Sequence, residues 1–165
     1  MKKHILLGFF LLFISTMNAQ DIISDFMSEI DDASGCLSVS LSGKMLRMAA
    51  ANDKDVGQDF KKLVNDIDKI KLVSNISIDS DDKKRLEKLL KPYEELMAVS
   101  ESEQKISMFT KEQKGKITEF VLCIEFNNKL SLMVITGNIN IKDLSKLAKS
   151  LNIDGMEHLD KLEKK

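Results

Sequence analysis

From Lys105 to Asn138 the chain alternates between apolar and polar residues in three strand-like runs. The runs are separated by Glu112–Lys116 and by Asn127-Asn128. The first gap holds Gly115 where a left-handed residue is wanted, and an Asn pair tolerates positive φ in a two-residue hairpin turn. The pattern predicts an antiparallel meander. The Asn127-Asn128 turn sets Phe126 opposite Lys129, Ile124 opposite Ser131, Leu122 opposite Met133 and Phe120 opposite Ile135. A three-residue loop at Gln113–Gly115 sets Met108 opposite Phe120 and Ile106 opposite Leu122. Directly opposed residues share a face, so Ile106, Met108, Phe120, Leu122, Ile124, Met133 and Ile135 gather on one side. Phe109, Val121, Cys123, Leu132 and Val134 form a second apolar face, diluted by Ser107, Lys111, Glu119 and Glu125. That face requires cover from other elements of the chain, from a partner or from a ligand, and its five apolar residues are the candidate partner- or ligand-facing positions.

Other segments carry helical spacing. Asp21–Ala33 places Ile22, Ile23, Phe26, Met27 and Ile30 on one stripe. In Leu37–Ser42 apolar residues alternate with serines, as in a strand at or near a sheet edge. Gly43 precedes a short helix, Lys44–Ala51, with Met45, Leu46, Met48 and Ala49 inward. Val56, Phe60, Leu63, Val64 and Ile67 make an amphipathic stripe, and a strand follows at Ile70–Ile78. Asp79 or Ser80 caps the next helix, whose apolar face runs through Leu86, Leu89, Leu90, Tyr93 and Met97. Pro92 kinks or ends it. A fourth meander strand falls at Leu96–Ser100, turning through Glu101–Gln104. Beyond the meander, Asn140 caps a helix Ile141–Leu151, and a terminal helix carries Met156, Leu159 and Leu162. Met45, Met48, Met97, Met108 and Met133 all fall on apolar faces, where methionine packs adaptably. Mixed helices and strands, then a meander, then helices, predict an α+β fold with helices packed on an antiparallel sheet.

The first residues change the picture of where this domain works. Lys2 and Lys3 precede the apolar run Ile5–Ile14 and a small, polar Ser15–Gln20, the layout of a cleavable secretory leader. Its core is too short for a comfortable membrane span. Residues 1–19 are therefore expected to be a signal peptide cut near Ala19/Gln20, and 20–165 a single exported domain, periplasmic or extracellular. No Cys lies near the cut, so no lipid anchor is expected. The formal net charge is −1 with both signs interspersed, which lacks the clustered positive footprint that nucleic-acid binding needs.

Several short motifs run in order along the chain: Ser-Gly-Lys-Met-Leu-Arg-Met at Ser42–Met48, Tyr93-Glu94-Glu95-Leu96-Met97, Lys114-Gly115-Lys116-Ile117-Thr118-Glu119-Phe120, and Gly137-Asn138-Ile139-Asn140 before a Leu-rich helix. With the leader, they make the chain resemble the domain of unknown function 4252 family (DUF4252), small exported proteins of Bacteroidota-type bacteria. The resemblance implies an exported α+β domain. It carries no established activity, so it transfers no catalytic residue, and its genomic context suggests envelope regulation.

Candidate chemistry is sparse. Outside the leader the single histidine is His158, beside Glu157 and without a nucleophile motif nearby. His158, Cys36 and Cys123 are too scattered to read as a zinc set. Cys36 and Cys123 admit a disulfide, two packed thiols or a redox pair, the last without Cys-x-x-Cys spacing. The acidic runs at Asp31-Asp32, Asp79–Asp82 and Glu94-Glu95 lack the alternating ligands and central Gly of a calcium loop. With no Trp and one Tyr, sugar-stacking platforms are scarce. No cofactor is expected. The leading expectation is a non-enzymatic exported domain that binds a protein partner or itself. A carrier of a small apolar ligand or lipid, walled by the Met-bearing sheet face, is the alternative, and an enzyme the third reading.

Overall fold

The computed structural model describes residues 22–30, 36–52 and 58–140, with the side chains of residues 59 and 60 outside the description. The leader, Val56, the Phe60 side chain, the helices expected at Ile141–Leu151 and beyond, and His158 all lie outside the described residues. Four helices and six strands occur among those described, in the order α1 (Ile22–Ile30), β1 (Leu37–Ser42), α2 (Gly43–Asn52), α3 (Gln58–Asn65), β2 (Ile67–Ser77), α4 (Ser80–Leu90), β3 (Glu94–Glu101), β4 (Gln104–Gln113), β5 (Lys116–Phe126) and β6 (Lys129–Ile139). The strands form one antiparallel sheet ordered β1-β2-β6-β5-β4-β3. The fold is α+β, with the meander β3–β6 extended by β2 and β1.

The turns explain the register. Asn127 and Asn128 both adopt positive φ, 48° and 59°. They set Phe126 opposite Lys129, Leu122 opposite Met133 and Phe120 opposite Ile135, as their sequence dictates. The β4–β5 connection differs from expectation. Its turn is the two residues Lys114 and Gly115, with φ of 53° and 75°. A bulge follows, because Lys111 pairs with Glu119 while Glu112 pairs with Ile117. Met108 therefore faces Leu122, and Ile106 faces Ile124. The shift is by two residues, so every side chain keeps its face; a shift by one would have reversed them all.

Helices cover both faces. On the first, Ile106, Met108, Phe120, Leu122, Met133 and Ile135 form a buried cluster with Ile67, Ile70 and Leu63 of α3, and Leu46 of α2 packs against it. On the second, Val73, Val121, Leu132 and Val134 pack with Ile23, Phe26 and Met27 of α1 and Leu86 of α4. Asp79 caps α4, its carboxylate accepting from the Asp81 and Asp82 amides at 2.8 Å. The helix ends at Leu90, before Pro92. Tyr93 stays on the α4 side of the sheet, whereas Met97 crosses to the first face with β3.

Four inward assignments are corrected. Met45 and Met48 are 58% and 57% exposed, and Ala49 is exposed too. The cause is Gly43: a Cβ there would lie 2.1 Å from the Ile67 carbonyl oxygen. That close approach sets the roll of α2, turning Gly43, Leu46 and Ala50 inward and Met45 and Met48 outward. Ile22, also expected on the inward stripe, is 46% exposed, because Ile23, Phe26 and Met27 take the face of α1 that meets the sheet.

Candidate functional site

The five apolar residues of the second face lie together, beneath α1 and α4. Val121, Cys123, Leu132 and Val134 are buried and Phe109 is half-buried. Of the three kinds of cover that face could have had, the chain's own helices supply it. Cys36 and Cys123 both belong to this side of the sheet, and no disulfide joins them. Burial pushes the Cys123 thiol up to about 12, with the nearby Glu125 carboxylate adding to it, so it packs as a small apolar group and not as a nucleophile.

A small pocket of about 70 Å³ remains under α4, lined by Leu86, Leu90, Phe109, Cys123 and Leu130 among others. It adjoins a wider cleft of about 240 Å³ at the end of the sheet where the β3–β4 and β5–β6 turns meet. Phe126 stands in that cleft, 50% exposed. Around it are Lys105 and Lys129, and an ion pair in which Lys83 of α4 donates to Glu125 at 2.5 Å. That pair raises the Lys83 pKa. Lys129 also donates to Ser77 Oγ at 2.6 Å. An aromatic side chain half in water within a rim of polar and charged groups has the make-up of an interface anchor.

Two polar clusters sit inside the apolar layers. In the first, the Tyr93 hydroxyl donates to Glu119 Oε2, and Lys111 Nζ reaches Glu119 Oε1 at 3.3 Å. Lys111 also lies over the Tyr93 ring at 5.4 Å, and the Glu119 side chain is only 7% exposed. In the second, Lys71 of β2, buried, donates to the Ser24 carbonyl oxygen at 2.9 Å and to Ser28 Oγ. Lys69 donates to Ser24 Oγ at 3.0 Å, so the pair of lysines ties β2 to α1. Sequence reasoning treated Lys111 and Glu119 as dilution of an apolar face. Lys111 and Glu119 stand directly opposite each other only in the bulged register, so the unbulged register read from the sequence, which sets Lys111 opposite Ile117, hides the pair.

The family-like motifs converge on the frame. Gly43 and Gly137 press on the same corner between α3 and β2. A Cβ on Gly137, whose φ is +151°, would lie 2.1 Å from the Asp66 carbonyl oxygen. Asn138 N donates to that same oxygen at 2.8 Å. Arg47 Nη1 donates to the Val64 carbonyl oxygen in the last turn of α3 at 3.4 Å and to the Ile67 carbonyl oxygen at the start of β2 at 3.3 Å. Thr118 Oγ1 donates to the Lys111 carbonyl oxygen at 3.2 Å, across the bulge. Among the described residues no group of three His, Cys, Asp or Glu side chains is placed to hold a metal ion, and no helix is long and apolar enough to cross a membrane.

These observations define an α+β domain whose motif residues lock strand corners and buried polar contacts. The chain belongs to the family described as Domain of unknown function (DUF4252), whose model matches residues 26–147. No curated protein and no solved structure matches it.

Proposed function

We propose that the protein is an exported, non-enzymatic domain of the cell envelope that works by binding a protein partner at the cleft around Phe126. The observation that carries the reading is Phe126 itself, a half-exposed ring at the tip of β5 within a ring of lysines, Glu125 and turn amides. Placing so large an apolar group in water is unfavourable unless something covers it, and aromatic anchors inside polar rims dominate protein interfaces. The motif residues fit the same reading, because Gly43, Arg47, Tyr93, Glu119 and Gly137 make contacts that hold the frame. Export rests on the leader pattern, and envelope regulation on the family's context.

The test has two arms. The protein recovered from the envelope should begin at or near Gln20. Immobilised wild type should retain an envelope protein that Phe126→Ser, folded and of unchanged melting temperature, fails to retain. Retention indifferent to Phe126, or no retained protein at all, contradicts the proposal.

The carrier reading finds a foothold in the pocket between Leu86, Phe109 and Cys123. At about 70 Å³ it holds two or so water-sized groups, far below the roughly 300 Å³ at which small-molecule sites begin. A lipid would enter only if α4 moved away. The Met-bearing face gives no wall of that kind at Met108 and Met133, which are 0% and 2% exposed within the packed cluster.

A further inference from the structure

The two rims of the sheet are guarded differently. β3 carries the exposed Glu94, Glu95 and Glu101, charges of the kind that keep an edge strand from pairing with another chain. β1 carries none. It consists of three apolar residues and three serines, and its burial runs from exposed to half-buried throughout. Leu37 is 56% exposed.

The sequence of β1 also reads the same in both directions about Val39: Leu37-Ser38-Val39-Ser40-Leu41. A symmetric dimer contact must be self-complementary, residue for residue. If a second copy pairs antiparallel about a two-fold axis at Val39, Leu37 faces Leu41 of that copy, Ser38 faces its Ser40, and Val39 faces itself. Opposed residues share a face, so apolar meets apolar on the side of α2, where Leu41 packs into the core. Serine meets serine on the other side. No like charges oppose each other in this register. The axis stands perpendicular to the sheet and brings α2 of both copies to one side of the joined sheet. α2 follows β1 directly, and its Met45 and Met48 are the exposed apolar residues nearest in sequence to the seam.

From this self-complementary, uncharged edge we infer that β1 is a homodimerisation strand, through which two copies join into one continuous sheet about Val39. The inference does not rest on the Phe126 reading, and β1 contributes no residue to that cleft. A short strand pair is small beside the roughly 1,600 Å² of a standard interface, so the dimer dissociates on dilution.

Sedimentation of the purified protein over a range of concentrations tests it. Wild type shows a concentration-dependent monomer–dimer equilibrium. S38K/S40K and S38E/S40E, substituted at exposed positions, keep the wild-type melting temperature, and each weakens dimerisation about tenfold by setting like charges opposite one another. Mixed in equal amounts they associate again, as a heterodimer. Wild type that stays monomeric overturns the inference, as does S38K/S40K dimerising like wild type, or a mixture that does not associate. Cross-linking reads the register without relying on those variants. In a Cys36→Ser background, Val39→Cys forms an intermolecular disulfide, because only the residue on the axis meets its own copy within disulfide reach. Disulfide formation by Leu37→Cys in place of Val39→Cys contradicts the register.

Discussion

Glu119 is a carboxylate held among apolar side chains, and the contacts around it give a quantity that can be measured. Tyr93 donates its hydroxyl to one oxygen, and Lys111 approaches the other at 3.3 Å. A hydrogen bond to a charged group contributes about 1.5–3 kcal/mol when its partner would otherwise stay buried and unsatisfied. Tyr93→Phe keeps the ring under Lys111 and removes only the donor, so it should cost about 2 kcal/mol. For a domain of this size that corresponds to a urea midpoint lowered by about 1 M with an unchanged m-value. Glu119→Leu removes the acceptor that the hydroxyl and the ammonium share. The double variant Tyr93→Phe/Glu119→Leu leaves neither half of the hydrogen bond unsatisfied. It should therefore be more stable than the sum of the single losses predicts, by about 1–2 kcal/mol. Equilibrium urea unfolding of the four proteins measures that coupling. Losses that add to within about 0.5 kcal/mol would refute the reasoning, because residues without a shared contact are additive on that scale.

Other perturbations probe separate parts of the frame. Gly137→Ala forces a Cβ to within 2.1 Å of the Asp66 carbonyl oxygen at a φ of +151° and should cost about 3 kcal/mol or more in urea unfolding; a loss under about 0.5 kcal/mol would refute the close approach. Thr110 Oγ1 is buried without a hydrogen-bond partner among the described residues. Thr110→Val should accordingly raise stability by about 1 kcal/mol and the melting temperature by roughly 3 °C, and a lower melting temperature would count against it. The Cys123 thiol, raised by burial from 9.0 to about 12, keeps its proton in the folded chain after the unfolded chain has lost it. Its contribution is intact below the unfolded value and falls away as pH rises towards 12, by about 1.4 kcal/mol at pH 10. Wild type should lose stability relative to Cys123→Ala over that interval, and parallel curves would show the thiol to be solvated.

Much of the meander was legible because its information is local. The Asn127-Asn128 turn and the alternation on either side fix β5 against β6 residue by residue. The β4–β5 register was not legible, since the bulge at Thr118 depends on a hydroxyl-to-carbonyl contact that no spacing announces. The pairing of β2 with β6 joins segments far apart in sequence, and nothing local in either strand specifies it. Met45 and Met48 were misassigned because apolar spacing describes α2 as an isolated helix. The Gly43 contact with Ile67 sets the helix's actual roll. For the second face, the alternation identified Phe109, Val121, Cys123, Leu132 and Val134 as a surface needing cover. It could not identify the cover, because α1 and α4 reach that face only through tertiary packing. Phe126 was visible as a strand end, but its exposure depends on where α4 and the β3–β4 turn stop.

The covered second face is the part of the fold most directly open to test. Val121 and Leu132 are each 0% exposed beneath α1 and α4, so a carboxylate at either position would be buried without a partner, at a cost of several kcal/mol. Urea unfolding of Val121→Asp and Leu132→Asp, followed by circular dichroism, should show both variants without a cooperative transition, or with one shifted far below that of wild type. Variants that unfold at the wild-type midpoint would mean that the face is open to solvent, and that function belongs on the sheet and not at its rims.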